Sequence, residues 1–186
     1  MPARLILLCH GRTAARPSAF PDDEALAGGE TERIDALRAV LGPLEHTLSS
    51  AARAARQTAG LLSSDVSVEP RLSAIDLARW RGRDIDGIEA SEPQALALWM
   101  QDPDFSGHGG ESRTLFAKRV SEWLAGRDMR DGTTLAVTHT SVVQAAVAAI
   151  LGAPPMALRG IDAGPLQALD LRSDGRRWAI RSLGKL

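Results

Sequence analysis

Residues 3–9, Ala-Arg-Leu-Ile-Leu-Leu-Cys, form a continuous apolar run of strand length, and the chain turns from it straight into His10-Gly11-Arg12-Thr13. Such a run suits a strand buried on both faces, as in a parallel sheet covered by helices on each side. The rest of the sequence supplies those helices. Glu30 to Leu41 places Ile34, Leu37, Val40 and Leu41 at helical spacing and stops at Gly42-Pro43. Ala51 to Leu62 is an Ala-rich helix between two short strands, Leu44 to Ser49 and Val66 to Val68. Residues 14–29 read as a loop, and 71–88 as a mixed stretch with several turns. Ile85 to Gln101 and Thr114 to Leu124 read as helices around a loop at 102–111. A fourth strand, Thr133 to Thr138, precedes an apolar helix at Ser141 to Leu151. Leu166 to Leu171 and Trp178 to Ser182 flank Asp174-Gly175 as a hairpin. This alternation predicts a three-layer α/β/α sandwich with a mostly parallel central sheet. A single domain over 1–186 is expected, with a loop and helix insert at about 84–112.

Composition narrows the function classes. Apolar residues make up 44% and charged residues 24%, the balance of a globular chain. The 22 basic and 23 acidic residues leave a net charge of −1, which argues against binding nucleic acid by phosphate neutralisation. Aromatic residues are 4% with no Tyr, so a base-stacking platform is not expected. No window approaches the roughly 20 apolar residues that span a bilayer. The N-terminal apolar run reads as a core strand rather than a signal peptide. One cysteine, Cys9, excludes an intrachain disulfide and a Cys-rich zinc site, and points to the cytoplasm. No cofactor and no metal site are expected. The oligomeric state is left open.

In a sheet of this kind, ligands bind beyond the carboxyl ends of the strands. His10 follows the first strand and His139 the fourth, so both are expected to face one crevice. His46 lies within a strand candidate and reads as an ordinary histidine; His108 lies in the long loop. The chain lacks Gly-x-Gly-x-x-Gly and Gly-Lys-Ser/Thr after any strand, which removes dinucleotide and P-loop readings. A thiol phosphatase needs Cys-x5-Arg, but six residues after Cys9 stands Ala15, and Arg16 is one place too far. Cys9 therefore reads as a small buried residue. Trp80, Trp99 and Trp123 read as structural, and Arg79, Arg81 and Arg83 as a basic turn able to attract an anion.

Five segments in order carry a resemblance: Leu8-Cys9-His10-Gly11; Ser49-Ser50 through Arg53, Arg56 and Gln57-Thr58-Ala59; Leu72-Ser-Ala74-Ile-Asp76 through Trp80 and Gly82; His108-Gly-Gly-Glu111-Ser112; and Leu135-Ala-Val-Thr-His139. Together they resemble the histidine phosphatase superfamily, whose members look like cofactor-dependent phosphoglycerate mutase, over roughly residues 4–170. The resemblance implies metal-independent hydrolysis of a small phosphorylated substrate through a phosphohistidine at His10. It implies that His139 hydrogen-bonds the phosphoryl oxygens, that arginines neutralise them, and that an acid protonates the leaving oxygen.

Some positions depart from the pattern. Cys9 stands where the pattern has arginine, Ala74 where it has an acid, and Ala78 where it has glycine. The second phosphate-binding arginine falls on Ala54 when aligned from Gln57-Thr58-Ala59 and on Arg53 when aligned from Ser49; Arg53 is preferred. Replacements are expected at Arg12 for the charge, beside Gly11, and at Asp76 for the acid, with Glu111 a further candidate. Thr13, His108, Glu111 and Thr140 are expected to line the substrate pocket. The alternative is a catalytically impaired member that binds a phosphorylated ligand or a protein partner.

Overall fold

The computed structural model describes residues 3–16, 18–127 and 132–186. Met1, Pro2 and Pro17, which the sequence reading includes in its opening segment and first loop, lie outside them. Strand β1 (Arg4–Cys9) carries the apolar run. Helices α1 (Glu30–Asp35) and α2 (Leu37–Leu41) lead to β2 (His46–Ser49), α3 (Arg53–Leu62) and β3 (Ser67–Val68). Two 3₁₀ turns and helices α4 (Ile85–Ser91), α5 (Pro93–Gln101) and α6 (Arg113–Ala125) follow. Strand β4 (Thr133–Thr138), α7 (Thr140–Leu151) and the hairpin of β5 (Gln167–Ser173) and β6 (Trp178–Lys185) complete the order.

The six strands form one sheet in the order β3-β2-β4-β1-β5-β6. The first four run parallel, and the hairpin adds two antiparallel strands beside β1. Alternation along β1 divides the core. Leu5, Leu7 and Cys9 pack with Phe116, Val120 and Trp123 of α6 and with the apolar face of α7. Ile6 and Leu8 point the other way, to Ile34, Leu41, Ala55 and Ala59. Both faces are covered, so β1 needs apolar residues at every inner position, each contributing about 1.5–3 kcal/mol on burial. A smaller cluster of Phe20, Leu77, Trp80 and Ile88 roofs the end of the sheet. Among the described residues no helix is long and apolar enough to cross a membrane.

Two expected helices are each in two pieces. Ala36 separates α1 from α2. The span 85–101 breaks at Glu92 because Pro93 has no N–H to donate and keeps its predecessor out of helical geometry; Pro93 instead opens α5 as its first residue.

The turn after Asp76 carries strain. Ala78 sits at φ +41°, in the left-handed region that glycine enters freely and a Cβ resists. The Asp76 carboxylate holds it there by accepting the Ala78 N–H at 2.8 Å. Ala78→Gly should therefore stabilise the fold by about 1 kcal/mol, read as a raised denaturation midpoint in urea.

Candidate active site

The parallel pairing of β1 with β4 places Cys9 opposite Thr138, so the chain leaves both strands at the same level. The His10 N–H donates to the Thr138 carbonyl at 2.9 Å and extends that pairing by one residue. The two rings meet edge to face with centroids 5.0 Å apart. They form one wall of a cleft of about 350 Å³ beyond the carboxyl ends of the strands.

The His10 tautomer is fixed by its neighbour. Its Nδ1 lies 2.7 Å from the Gly11 carbonyl, which can only accept, so Nδ1 carries the proton. In the neutral ring, Nε2 then keeps its lone pair. The turn that delivers this carbonyl is held from below. The Gly11 N–H donates to the buried Thr58 hydroxyl at 3.1 Å, and the Arg12 N–H donates to Glu30 at 2.9 Å. A Cβ on Gly11 would press against Leu26 and Glu30 at about 3 Å, so glycine lets the turn pack there. Burial pushes the Glu30 carboxyl up, but hydrogen bonds from Arg12 and Arg33 outweigh it and keep the group below its ordinary value, hence ionised.

His139 opens α7 with its Nε2 3.0 Å from the Ser50 hydroxyl. Burial, with positive charge from His10 and Arg119, holds its pKa down to about 3, against a small opposing pull from Asp23. His139 is thus a neutral imidazole at physiological pH. Cys9 is buried, and burial pushes its thiol up to about 11 although the Thr140 hydroxyl donates to it. The thiol stays protonated at neutral pH and cannot act as a nucleophile there.

Comparison with known proteins agrees with this geometry. The sequence model of the histidine phosphatase superfamily (branch 1) matches residues 5–185. The chain belongs to the histidine phosphatase superfamily. A glucosyl-3-phosphoglycerate phosphatase of Mycobacterium tuberculosis is 33% identical over 171 residues, covering 81% of this chain and 76% of that protein. The corresponding protein of Mycolicibacterium vanbaalenii is 30% identical, covering 81% and 75%. The solved structure of a mycobacterial glucosyl-3-phosphoglycerate phosphatase aligns with a TM-score of 0.83 at 26% identity, covering 98% of this chain and 99% of that one. An Escherichia coli protein described as a putative alpha-ribazole-5′-P phosphatase aligns at 0.90 with 21% identity, over 100% and 97%, and shows the shared fold. The chain is by family a histidine phosphatase, an enzyme of phosphoryl chemistry.

Several residues expected at the histidine phosphatase site sit elsewhere. Arg12 turns its guanidinium onto Glu30 at 3.2 Å, mostly exposed and outside the cleft lining. Arg53 is also exposed; the residue of α3 that faces the cleft at this point is the buried Ala54. The alignment from Gln57-Thr58-Ala59 is the one whose position faces the cleft, because a one-residue slip rotates a helical side chain by about 100°. Asp76 is half exposed and bonded to Arg81 at 2.7 Å, outside the lining. Glu111 is taken by Arg119 through two hydrogen bonds of 2.9 and 2.8 Å. His108 is buried between Trp80 and Phe105, so its ring serves the aromatic roof rather than the cleft. Thr140 points its hydroxyl at Cys9. Gly11 lies beneath the wall. Only Thr13, His10 and His139 of the expected set line the cleft.

Other residues complete the lining. Arg81 is the one arginine in it among the described residues, and Asp22, Asp23 and Glu24 share the lining. Ala51, Ala52, Ala54, Ala74, Ile75 and Pro21 make the rest largely apolar. Arg81 was legible as part of a basic turn. The Asp22-Asp23-Glu24 run was legible only as loop, since nothing local says that the loop folds back over the sheet.

His139 also generates a stability test. The unfolded chain protonates this histidine near its ordinary 6.5, whereas the folded protein resists until about 3. The unfolded state therefore binds the extra proton below 6.5, and stability is lost as pH falls toward 3. His139→Gln cannot titrate. Its melting temperature relative to wild type should rise as pH is lowered from about 7 to about 4.

Proposed function

We propose that this protein hydrolyses phosphomonoesters of small phosphorylated metabolites through a phosphohistidine at His10, without a metal ion. The observation that carries the reading is the Nδ1 hydrogen bond to the Gly11 carbonyl, which leaves the Nε2 lone pair free beside His139. The lone pair attacks phosphorus, and the ester oxygen departs as alcohol. Water then displaces the histidine, releasing phosphate and restoring the ring. Neutral His139 offers the phosphoryl oxygens one N–H and gains basicity as negative charge arrives. Arg81, held in place by Asp76, gives the charged fork that Cys9 and Ala54 do not. The carboxylates of Asp22, Asp23 and Glu24 match a neutral or cationic alcohol better than an anionic one.

The same lining supports a second reading. With one arginine against three carboxylates, the cleft is poorly charged for turnover, as in a catalytically impaired member that binds a phosphorylated ligand or a protein partner.

Hydrolysis of p-nitrophenyl phosphate in the presence of chelator separates the two. Wild type should turn the ester over, and His10→Ala should lower the rate by at least about 10³-fold. Equal traces in both proteins would overturn the catalytic reading and favour the second. Arg81→Ala should raise KM about 10-fold, the size of one charge-assisted hydrogen bond.

A further inference from the structure

An alkyl phosphate leaves only if its departing oxygen receives a proton, so the cleft needs an acid that Ala74 cannot be. The carboxylates near the histidines differ in their freedom to serve. Glu111 has both oxygens on Arg119. Asp76 accepts from Arg81 and from the Ala78 N–H on the single oxygen Oδ1, and it is set aside because it lies outside the lining. Of the three carboxylates in the lining, Glu24 accepts the Asp22 N–H with both oxygens and closes its own turn. Asp22 leans toward the turn at Gly82, with Oδ2 about 3.6 Å from where a Cβ would sit.

Asp23 is placed differently. The Arg53 N–H at the start of α3 donates to its Oδ1 at 2.6 Å, and among the described residues Oδ2 has no hydrogen bond. One oxygen is anchored to a rigid helix while the other is available. Asp23 shares the cleft wall with His10 and His139, and its negative charge is felt at the His139 ring. A phosphoryl dianion entering beside a fixed carboxylate favours a proton between the two anions.

We propose that Asp23 is the general acid and base of this site, an inference that rests on His10 as the nucleophile. As His10 Nε2 forms its bond to phosphorus and the phosphorus–oxygen ester bond breaks, the proton on Asp23 Oδ2 passes to the leaving oxygen. In the second half, Asp23 takes a proton from the attacking water while the nitrogen–phosphorus bond breaks. Phosphate is released and the protonated carboxyl is regenerated. No oxidant, reductant or metal enters the balance.

The test compares two esters, because an acid matters most for a poor leaving group. Asp23→Asn keeps an oxygen for the Arg53 N–H, so the loop anchor survives while the transferable proton is lost. Glycerol 2-phosphate has a basic alkoxide leaving group, whereas p-nitrophenyl phosphate does not require protonation to leave. Asp23→Asn should lower kcat on the alkyl ester by about 10²–10⁴-fold, lower it less than about 10-fold on the aryl ester, and leave KM nearly unchanged. Asp23→Glu should restore part of the alkyl activity. An equal loss on both esters would mean a loop-holding role and overturn the inference while leaving His10 in place. So would an alkyl-selective loss in Asp76→Asn that Asp23→Asn does not show. If Asp23→Asn does not fold, the comparison of Asp23→Glu with Asp23→Gln reads the same ratio. If the wild type shows no His10-dependent turnover of the aryl ester, the nucleophile reading fails first and the inference falls with it.

Discussion

The site depends on the pairing of two parallel strands. Strand β1 aligns Cys9 with Thr138 of β4, and the His10 N–H continues the ladder onto the Thr138 carbonyl. Both histidines therefore leave the sheet at one level, 5.0 Å apart. Because side chains alternate along a strand, a slip of one residue would turn Leu5, Leu7 and Cys9 into the wrong core and separate the rings. The apolar packing of two helix layers thus fixes the positions of two polar residues that themselves contribute little to the core. Thr138 ties the same strand end to the Leu72 carbonyl, so the segment carrying Ala74 and Ile75 is drawn over the cleft.

Around that wall, the fold commits most of its arginines to structure. Arg12 and Arg33 neutralise the buried Glu30 under the His10 turn. Arg119 grips Glu111 and the carbonyls of Arg71, Ser73 and Ala74, pinning the Glu111 loop to the segment that lines the cleft. Arg79 and Arg83 converge on Glu92, whose carboxyl they hold down at about 2. These pairs organise loops; the exposed ones contribute little energy on their own. The consequence is a cleft lined by two imidazoles and by the carboxylates of the loop after β1, with Arg81 as its one arginine among the described residues.

The legible parts of the sequence were those whose signal is local. The run at 3–9, the strand at 133–138, the apolar helix after His139 and the Asp174-Gly175 hairpin each carry their own periodicity and stops, and each forms close to where it was expected. The break at Glu92 was written in Pro93, although the apolar spacing on either side reads as one continuous helix. The choice of Arg53 over Ala54 could not be made from the chain, because both registers fit the flanking residues and only the docking of α3 on the sheet decides which side faces inward. His108 has a loop context in the sequence; its burial against Trp80 and Phe105 comes from residues distant in the chain.

The sequence by itself determined the layered architecture and the presence of a histidine at each of two strand ends, because strand and helix periodicity and chain order are local properties. The tertiary structure decided which charged residues reach those histidines. Ion-pair partners such as Glu30 for Arg12, Glu111 for Arg119 and Glu92 for Arg79 are chosen by how loops pack, and a guanidinium that finds a carboxylate during folding is no longer free for a ligand. The same packing folded residues 21–24 over the carboxyl ends of the strands, giving the cleft its acidic side, which no spacing in the chain announces.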